Sequence, residues 1–302
     1  MNLEPKNLDD FIGQDKIKNS IKISLEASKI RKESFPHMLL YGGSGLGKTT
    51  LANIIAREFN TDMYTYLAPS MDGTEDMFLA LRDIKKNSFI FIDEIHALPR
   101  KMQDMMLTVM TDFKLESSSG YRFPIPKFTF VGATTNLGQL SEPFISRFGF
   151  PIQLEKYSIE EIEIMIELNT KRNKLNLSPD AISKIAKVSR RNPRTSNRIL
   201  ERCHDTATVL KQKQITLDIV NQTLTNLQID QNGLTVTDLL VLNTLAFQFD
   251  FRPTGLKNLS LATNIDEKTI EQFSEPLLVE MKLLERTTRG RVLTRKGIEY
   301  VA

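Results

Sequence analysis

At 302 residues the chain exceeds one typical core and reads as two or three domains. Its 40% hydrophobic and 25% charged residues are those of a globular protein, and no apolar run reaches the ~20 residues that span a bilayer, which argues against a membrane-spanning helix. A net charge of +3 is too small to indicate nucleic acid by itself, and the single cysteine, Cys203, excludes an intrachain disulfide or a cysteine-based zinc cluster.

The opening Met-Asn-Leu-Glu-Pro-Lys lacks a signal peptide's basic-then-apolar order, so the cytoplasm is the expected location. Met38-Leu39-Leu40-Tyr41 reads as a short buried strand, and Thr49 to Ala56 has apolar residues at helical spacing. Between them Gly42-Gly43-Ser44-Gly45-Leu46-Gly47-Lys48-Thr49 fits the phosphate-loop pattern G-x-x-x-x-G-K-[ST]. Glycines let backbone N–H groups curl around a polyphosphate, and the helix N-terminus adds partial positive charge. Lys48 is expected to reach the β- and γ-phosphates of ATP, and the Thr49 hydroxyl to ligate Mg²⁺, with Gly42 to Thr50 as the binding segment.

Phe89-Ile90-Phe91-Ile92 is an unbroken apolar run of the kind found in a central parallel strand. It ends in Asp93-Glu94, at the strand edge where α/β sheets place ligands. Asp93 is expected to hold Mg²⁺ and Glu94 to activate water as general base. Taken alone, two solvated acids at a strand end explain the same residues; the phosphate loop upstream favours the hydrolytic reading. His96, just past them, reads as structural. A third strand, Phe128 to Ala133, ends in Thr134-Thr135-Asn136, where small polar residues can sense the γ-phosphate. Arg147, in Ser146-Arg147-Phe148, is either a surface arginine paired with a nearby acid or a finger that supplies charge to a neighbouring subunit's site. A finger acting in trans requires a ring or another oligomer.

After Tyr157 the pattern becomes helical. Ser158 and Glu161 form a capping-box signature before Ile159, Ile162, Met165 and Ile166, and Ser178-Pro179-Asp180 opens a second helix. Asn197–Lys211 and Thr216–Leu227 supply two more. From Gly233 onward, helical stretches at Asp238–Phe249, Leu256–Thr263 and Thr269–Leu284 precede a basic hairpin over Arg286–Lys296, the order of a winged helix. That hairpin holds Arg286, Arg289, Arg291 and Arg295 and no acid, and is suited to DNA phosphates; a merely solvated hairpin is the alternative. No aromatic residue interleaves the arginines, which favours duplex-backbone tracking over stacking on single strands.

Together these residues resemble the RuvB family of AAA+ Holliday-junction branch-migration ATPases. The matching stretches, in order, are Pro5–Gln14, His37–Gly42, Thr49–Ala56, Phe91–His96, Phe128–Thr135, Asn192-Pro193-Arg194 with Asn197-Arg198, and Arg286–Val292. The resemblance covers nearly the whole chain. It implies an α/β P-loop AAA+ core over 1–156, a small α-helical lid over 157–232 and a winged-helix DNA-binding domain over 233–302. Phe11, Ile12, Tyr157 and Pro193 would lie near the adenine, Thr135 would be sensor 1, and Arg194 would be sensor 2, reaching the γ-phosphate. The implied activity is a hexameric, cytoplasmic, ATP-driven motor that moves duplex DNA at four-way junctions, with a RuvA-like junction-binding partner. The alternative is an ATP-gated loader or recruitment switch without processive translocation.

Several positions depart from the family. Gly-Gly-Ser-Gly stands where Gly-Pro-Pro-Gly is usual, Ile145 replaces an arginine before Arg147, and Asn136 replaces another. Lys114–Lys127 is shorter and richer in Ser and Gly than the family's RuvA-docking hairpin, and its prolines suit a central ladder poorly; a short surface loop is expected there.

Overall fold

A computed structural model of the chain describes residues 1–116 and 120–302. They form two compact units: Met1–Asn173 with Asn192–Arg194, and Lys174–Arg191 with Thr195–Ala302.

The first unit begins with α1 (Asp15–Arg31), β1 (Met38–Tyr41), α2 (Lys48–Glu58), β2 (Met63–Leu67), α3 (Thr74–Arg82) and β3 (Phe89–Asp93). It continues with α4 (Arg100–Asp112), β4 (Lys114–Glu116), β5 (Arg122–Pro124), β6 (Thr129–Thr134), α5 (Glu142–Ile145), β7 (Phe150–Gln153) and α6 (Ile159–Arg172). Five strands make one parallel sheet in the order β2-β3-β6-β1-β7. Its central strands are apolar throughout because helices cover both faces: Met38 to Leu40, Phe89 to Ile92 and all of β6 are buried. Pro151, in edge strand β7, costs the ladder little because an edge has one side unpaired. The expected strands at 38–41, 89–92 and 128–133 form within a residue. α1, β2, α3, α4 and β7 carried weaker patterns; α1, for example, buries only Ile21, Leu25 and Ser28 of its 17 residues.

The expected surface loop at 114–127 is instead a short hairpin. β4 and β5 pair antiparallel through Lys114–Pro124, Leu115–Phe123 and Glu116–Arg122, so Pro124 ends the ladder rather than interrupting it. Leu115 is buried and gives the first strand its anchor. Ser117, Ser118 and Ser119 of that expectation lie outside the described residues.

Helix α6 starts on the capping box read from the sequence: the Ser158 hydroxyl accepts from the Glu161 N–H at 3.1 Å, and the Ser158 N–H donates to the Glu161 carboxylate at 2.7 Å. Next in the chain come α7 (Pro179–Val188), capped by Ser178, α8 (Pro193–Val209), whose first two residues belong to the first unit, and α9 (Leu217–Asn226).

The second unit continues with α10 (Val236–Asn243), α11 (Leu256–Thr263), α12 (Glu267–Thr269), α13 (Glu275–Glu280), β8 (Leu284–Thr287), β9 (Gly290–Leu293) and α14 (Arg295–Val301). Leu234, Val241, Leu242, Leu245, Leu259, Ile270, Leu278 and Leu283 make the buried core of this C-terminal part. Wide π turns over 244–248 and 270–274 lie within the helical runs, and the stretch expected over Asp238–Phe249 is helical from Val236 to Gln248. The helix expected to reach Leu284 ends at Glu280, and Leu284 opens the wing instead. The wing ends at Leu293. Arg295 and Lys296 therefore lie on α14, which Thr294 caps, and not in the hairpin. Among the described residues no helix is long and apolar enough to cross a membrane.

Candidate nucleotide site

The phosphate loop leaves β1 at the C-terminal edge of the sheet, where β3 and β6 also end. Register puts Tyr41 beside Thr134, and Ile92 beside Gly132. Gly47 caps α2 with φ 97°, a left-handed conformation that a side chain would resist, and an added Cβ would meet the Phe11 ring at 3.2 Å. Lys48 is buried, and its ammonium donates to the carbonyl oxygens of Gly42 and Gly43, each at 2.9 Å. Burial lowers its pKa, a pull opposed by the charges of Glu94 and Asp93 and reinforced by that of Arg194. The cation is thus held at the mouth of the loop by carbonyls that a phosphate group can replace.

Behind the loop, the Thr49 hydroxyl donates to Asp93 Oδ2 at 3.2 Å, while Asp93 Oδ1 accepts from the Glu94 N–H at 2.9 Å. Glu94 has φ 50°, uncommon for a residue with a side chain, and this turns its carboxylate off the strand line. The Thr135 hydroxyl donates to Glu94 Oε2 at 3.0 Å. His96 Nδ1 lies 3.3 Å from the same oxygen and 3.0 Å from the hydroxyl of buried Thr134. Thr135, expected to sense phosphate, therefore also touches the expected base. His96, read as structural, stands against it too.

The other expected nucleotide residues surround this cluster. Phe11 is buried over Gly47, Ile12 is half-buried, and buried Tyr157 donates its hydroxyl to the Leu46 carbonyl at 3.1 Å. Burial pushes the Tyr157 phenol above its ordinary range, so it stays a neutral donor. Pro193 is half-buried at the start of α8. Asn192 donates to the Ser44 carbonyl at 2.7 Å, and Arg194 Nη1 donates to the Ser44 hydroxyl at 3.4 Å. Asn192 is a contact with no role expected from the sequence; its place in the family-matching Asn192-Pro193-Arg194 stretch was the signal. Arg147 is exposed and forms no ion pair among the described residues. No group of three or more His, Cys, Asp or Glu side chains gathers as a metal cluster among the described residues.

Residues 3–154 match the family of the Holliday junction DNA helicase RuvB P-loop domain, residues 157–230 the RuvB AAA lid domain, and residues 231–302 the RuvB C-terminal winged helix domain. The chain belongs to the RuvB family. The branch migration complex subunit RuvB of Acholeplasma laidlawii is 38% identical over 99% of this chain and 92% of that protein. The counterpart from the Wolbachia of Brugia malayi is 39% identical over 100% and 94%. Thermotoga maritima RuvB, solved as a Holliday junction branch migration motor, superposes with a TM-score of 0.88 at 36% identity, over 99% of this chain and 98% of that one. The α/β core, lid and winged helix expected from the sequence are thus those of RuvB proteins.

On the wing, the arginines expected at DNA differ in their surroundings. Arg286 Nε lies 2.7 Å and Arg291 Nη2 2.9 Å from opposite oxygens of Glu275, a carboxylate 3% exposed, and Arg286 also reaches Glu271 at 3.4 Å. The sequence segment holds no acid between its arginines, but the turn and helix before it supply two. Arg295 pairs with Glu299 along α14 at 3.1 Å. Arg289, at the wing tip, is exposed and forms no ion pair among the described residues.

Proposed function

We propose that this chain is an ATP-hydrolysing, hexameric ring motor that translocates duplex DNA and drives Holliday-junction branch migration in cytoplasmic recombination and repair. The observation that carries this reading is the convergence of Lys48, Thr49, Asp93, Glu94 and Thr135 at one sheet edge of a chain that belongs along its length to the RuvB family.

Phosphate groups take the place of the Gly42 and Gly43 carbonyls on Lys48, and the backbone N–H groups of Gly43 to Thr50 line the polyphosphate. Phe11, Ile12, Tyr157 and Pro193 flank the base. Thr49 and Asp93 offer a hydroxyl and a carboxylate oxygen side by side, hard donors that suit Mg²⁺ without a cage of protein ligands. Bound there, Mg²⁺ would neutralise charge developing on the phosphates. Glu94 accepts the proton of the attacking water. Thr135 exchanges its bond to Glu94 for one to the γ-phosphate, which frees the base as the substrate arrives. Arg147 of a neighbouring subunit stabilises the transition state, and Arg194 couples γ-phosphate loss to the lid. Arg289 grips the DNA backbone, while Arg286 and Arg291 brace the wing through Glu275.

The short β4–β5 hairpin favours a second reading, an ATP-gated loader on DNA that does not use a RuvA-like partner. The test is ATP-dependent branch migration of a synthetic four-way junction, with and without RuvA, and with Glu94→Gln as control. Migration that needs RuvA and is lost in Glu94→Gln supports the motor and a docking hairpin. ATP-dependent DNA binding without migration assigns the chain to the loader class.

A further inference from the structure

By the family resemblance Ser44 stands where a proline is usual, and its hydroxyl has a partner. Asn192–Arg194 belongs to the same compact unit as the phosphate loop. The Asn192 side chain bridges the two segments: Nδ2 donates to the Ser44 carbonyl at 2.7 Å and Oδ1 accepts from the Arg194 N–H at 3.0 Å. The fit leaves no slack, since a Cβ on Gly45, whose φ is 77°, would meet Asn192 Oδ1 at 2.5 Å and Arg194 Cβ at 3.0 Å. With the backbone fixed in this way, the Arg194 guanidinium reaches the Ser44 hydroxyl at 3.4 Å. A proline at 44 would keep the carbonyl that Asn192 uses, but it has no hydroxyl for Arg194.

We infer that Ser44 is a positioning residue that latches Arg194 onto the tip of the phosphate loop until a γ-phosphate draws it away, so that this chain discriminates less strongly in favour of ATP over ADP than it would without the hydroxyl. The inference rests on the reading of Arg194 as the γ-phosphate-sensing arginine. An interaction present in the free protein and lost in one complex weakens that complex alone. ATP must break the Ser44–Arg194 bond to recruit the guanidinium, whereas ADP, lacking a γ-phosphate, leaves the latch closed. The latch therefore acts on the difference between the two nucleotides and not on binding in general. A change that merely loosened the loop would move both affinities together.

The test measures ATP and ADP affinities by fluorescent-nucleotide competition on the full chain, in a Glu94→Gln background that blocks turnover. Ser44→Ala is expected to raise the ratio of ATP to ADP affinity about two- to tenfold, the range of an ordinary net hydrogen bond, because the 3.4 Å separation and solvent exposure offset the guanidinium's charge. Ser44→Thr, which keeps the hydroxyl, is expected to restore the starting ratio. Combined with Arg194→Ala, Ser44→Ala is expected to change the ratio no further, because the partner is already gone. Equal shifts for ATP and ADP, an unchanged ratio, or an undiminished Ser44→Ala effect in the Arg194→Ala background would each overturn the latch. A weakened ATP response in Arg194→Ala together with a neutral Ser44→Ala refutes the latch alone. An Arg194→Ala variant that, with Glu94 intact, binds and hydrolyses ATP normally refutes the arginine's assignment, and the latch with it.

Discussion

The carboxylate of Glu94 is the point at which the nucleotide site is most constrained. Three groups fix it: its own left-handed backbone, the Thr135 hydroxyl and the imidazole of His96. By the proposed exchange Thr135 leaves the base when a γ-phosphate arrives, while the backbone turn and His96 stay beside it, and removal of the base should act on chemistry rather than binding. Glu94→Gln is expected to keep ATP affinity within about threefold while kcat falls ~10²–10⁴-fold; single-turnover hydrolysis alongside equilibrium binding checks it, and normal turnover would refute the assigned base. Thr135→Val removes a hydroxyl that touches both the base and, by proposal, the γ-phosphate. Its kcat should fall by about 10²-fold with little change in ATP affinity, and Thr135→Ser should recover most of the loss. Equal losses in kcat and affinity would mean that Thr135 only shapes the loop. Lys48, Thr49, Asp93 and Glu94 were legible in the sequence because polyphosphate chemistry dictates both their types and their spacing. The bonds Thr135–Glu94 and Arg194–Ser44 were not, because each joins residues far apart in the chain: the first meet only once β3 and β6 are known to be neighbours, the second only once the start of α8 is seen to pack with the first unit.

At the scale of elements, legibility followed burial. Strands β1, β3 and β6 have solid apolar runs because both faces are covered, whereas half-exposed β2 and mostly polar α1 gave no clear period. Leu277, Met281 and Leu284 keep helical spacing across the end of α13, which is why the expected last helix runs on into the wing. His37 shows how elements are joined beyond such patterns. Just before β1, its ring Nδ1 accepts from the Phe130 N–H of β6 at 2.9 Å, and Nε2 lies 3.1 Å from the Met110 carbonyl of α4. These partners fix the tautomer with the proton on Nε2. Burial lowers the pKa of this imidazole below the ordinary 6.5. The unfolded chain therefore takes up a proton at a pH where the folded one does not. Stability from this group is full above about 6.5 and declines as pH falls through that value toward the lower folded pKa. Urea denaturation at pH 8 and pH 5.5 should show lower stability at the acid value. His37→Asn should be less stable by about 1–3 kcal/mol at pH 8, since a backbone donor or acceptor loses its partner, yet its stability should vary less with pH. An unchanged pH slope in that variant would mean that other groups set the acid response.

For the whole molecule, the decisive question is whether the site is complete in one chain. Lys48, Asp93 and Glu94 converge on the loop, but exposed Arg147 sits on the turn after α5 and forms no ion pair among the described residues. An arginine without an acid to neutralise it, in a family of motors, is suited to a phosphate on another subunit. If it serves a neighbour's nucleotide, each active site takes its loop from one chain and its finger from the next. Arg147→Ala and Lys48→Ala should then each be nearly inactive alone, by at least ~10²-fold, for different reasons: one lacks a finger, the other a phosphate-binding cation. Mixed in one assembly, the two variants re-create some interfaces in which an intact loop faces an intact finger. In an equimolar random mixture a pair of adjacent subunits is good in this sense about one time in four, so rescue should approach a quarter of native ATPase activity if sites fire independently, and less if they must fire in sequence. Steady-state ATPase assays across a titration of the two variants, with mixed assembly verified by cross-linking, read this directly. A bell-shaped activity curve peaking near equal amounts supports a shared site. A flat line at the level of the separate variants, in confirmed mixed assemblies, would place the finger's function within its own chain and remove the need for a ring in hydrolysis.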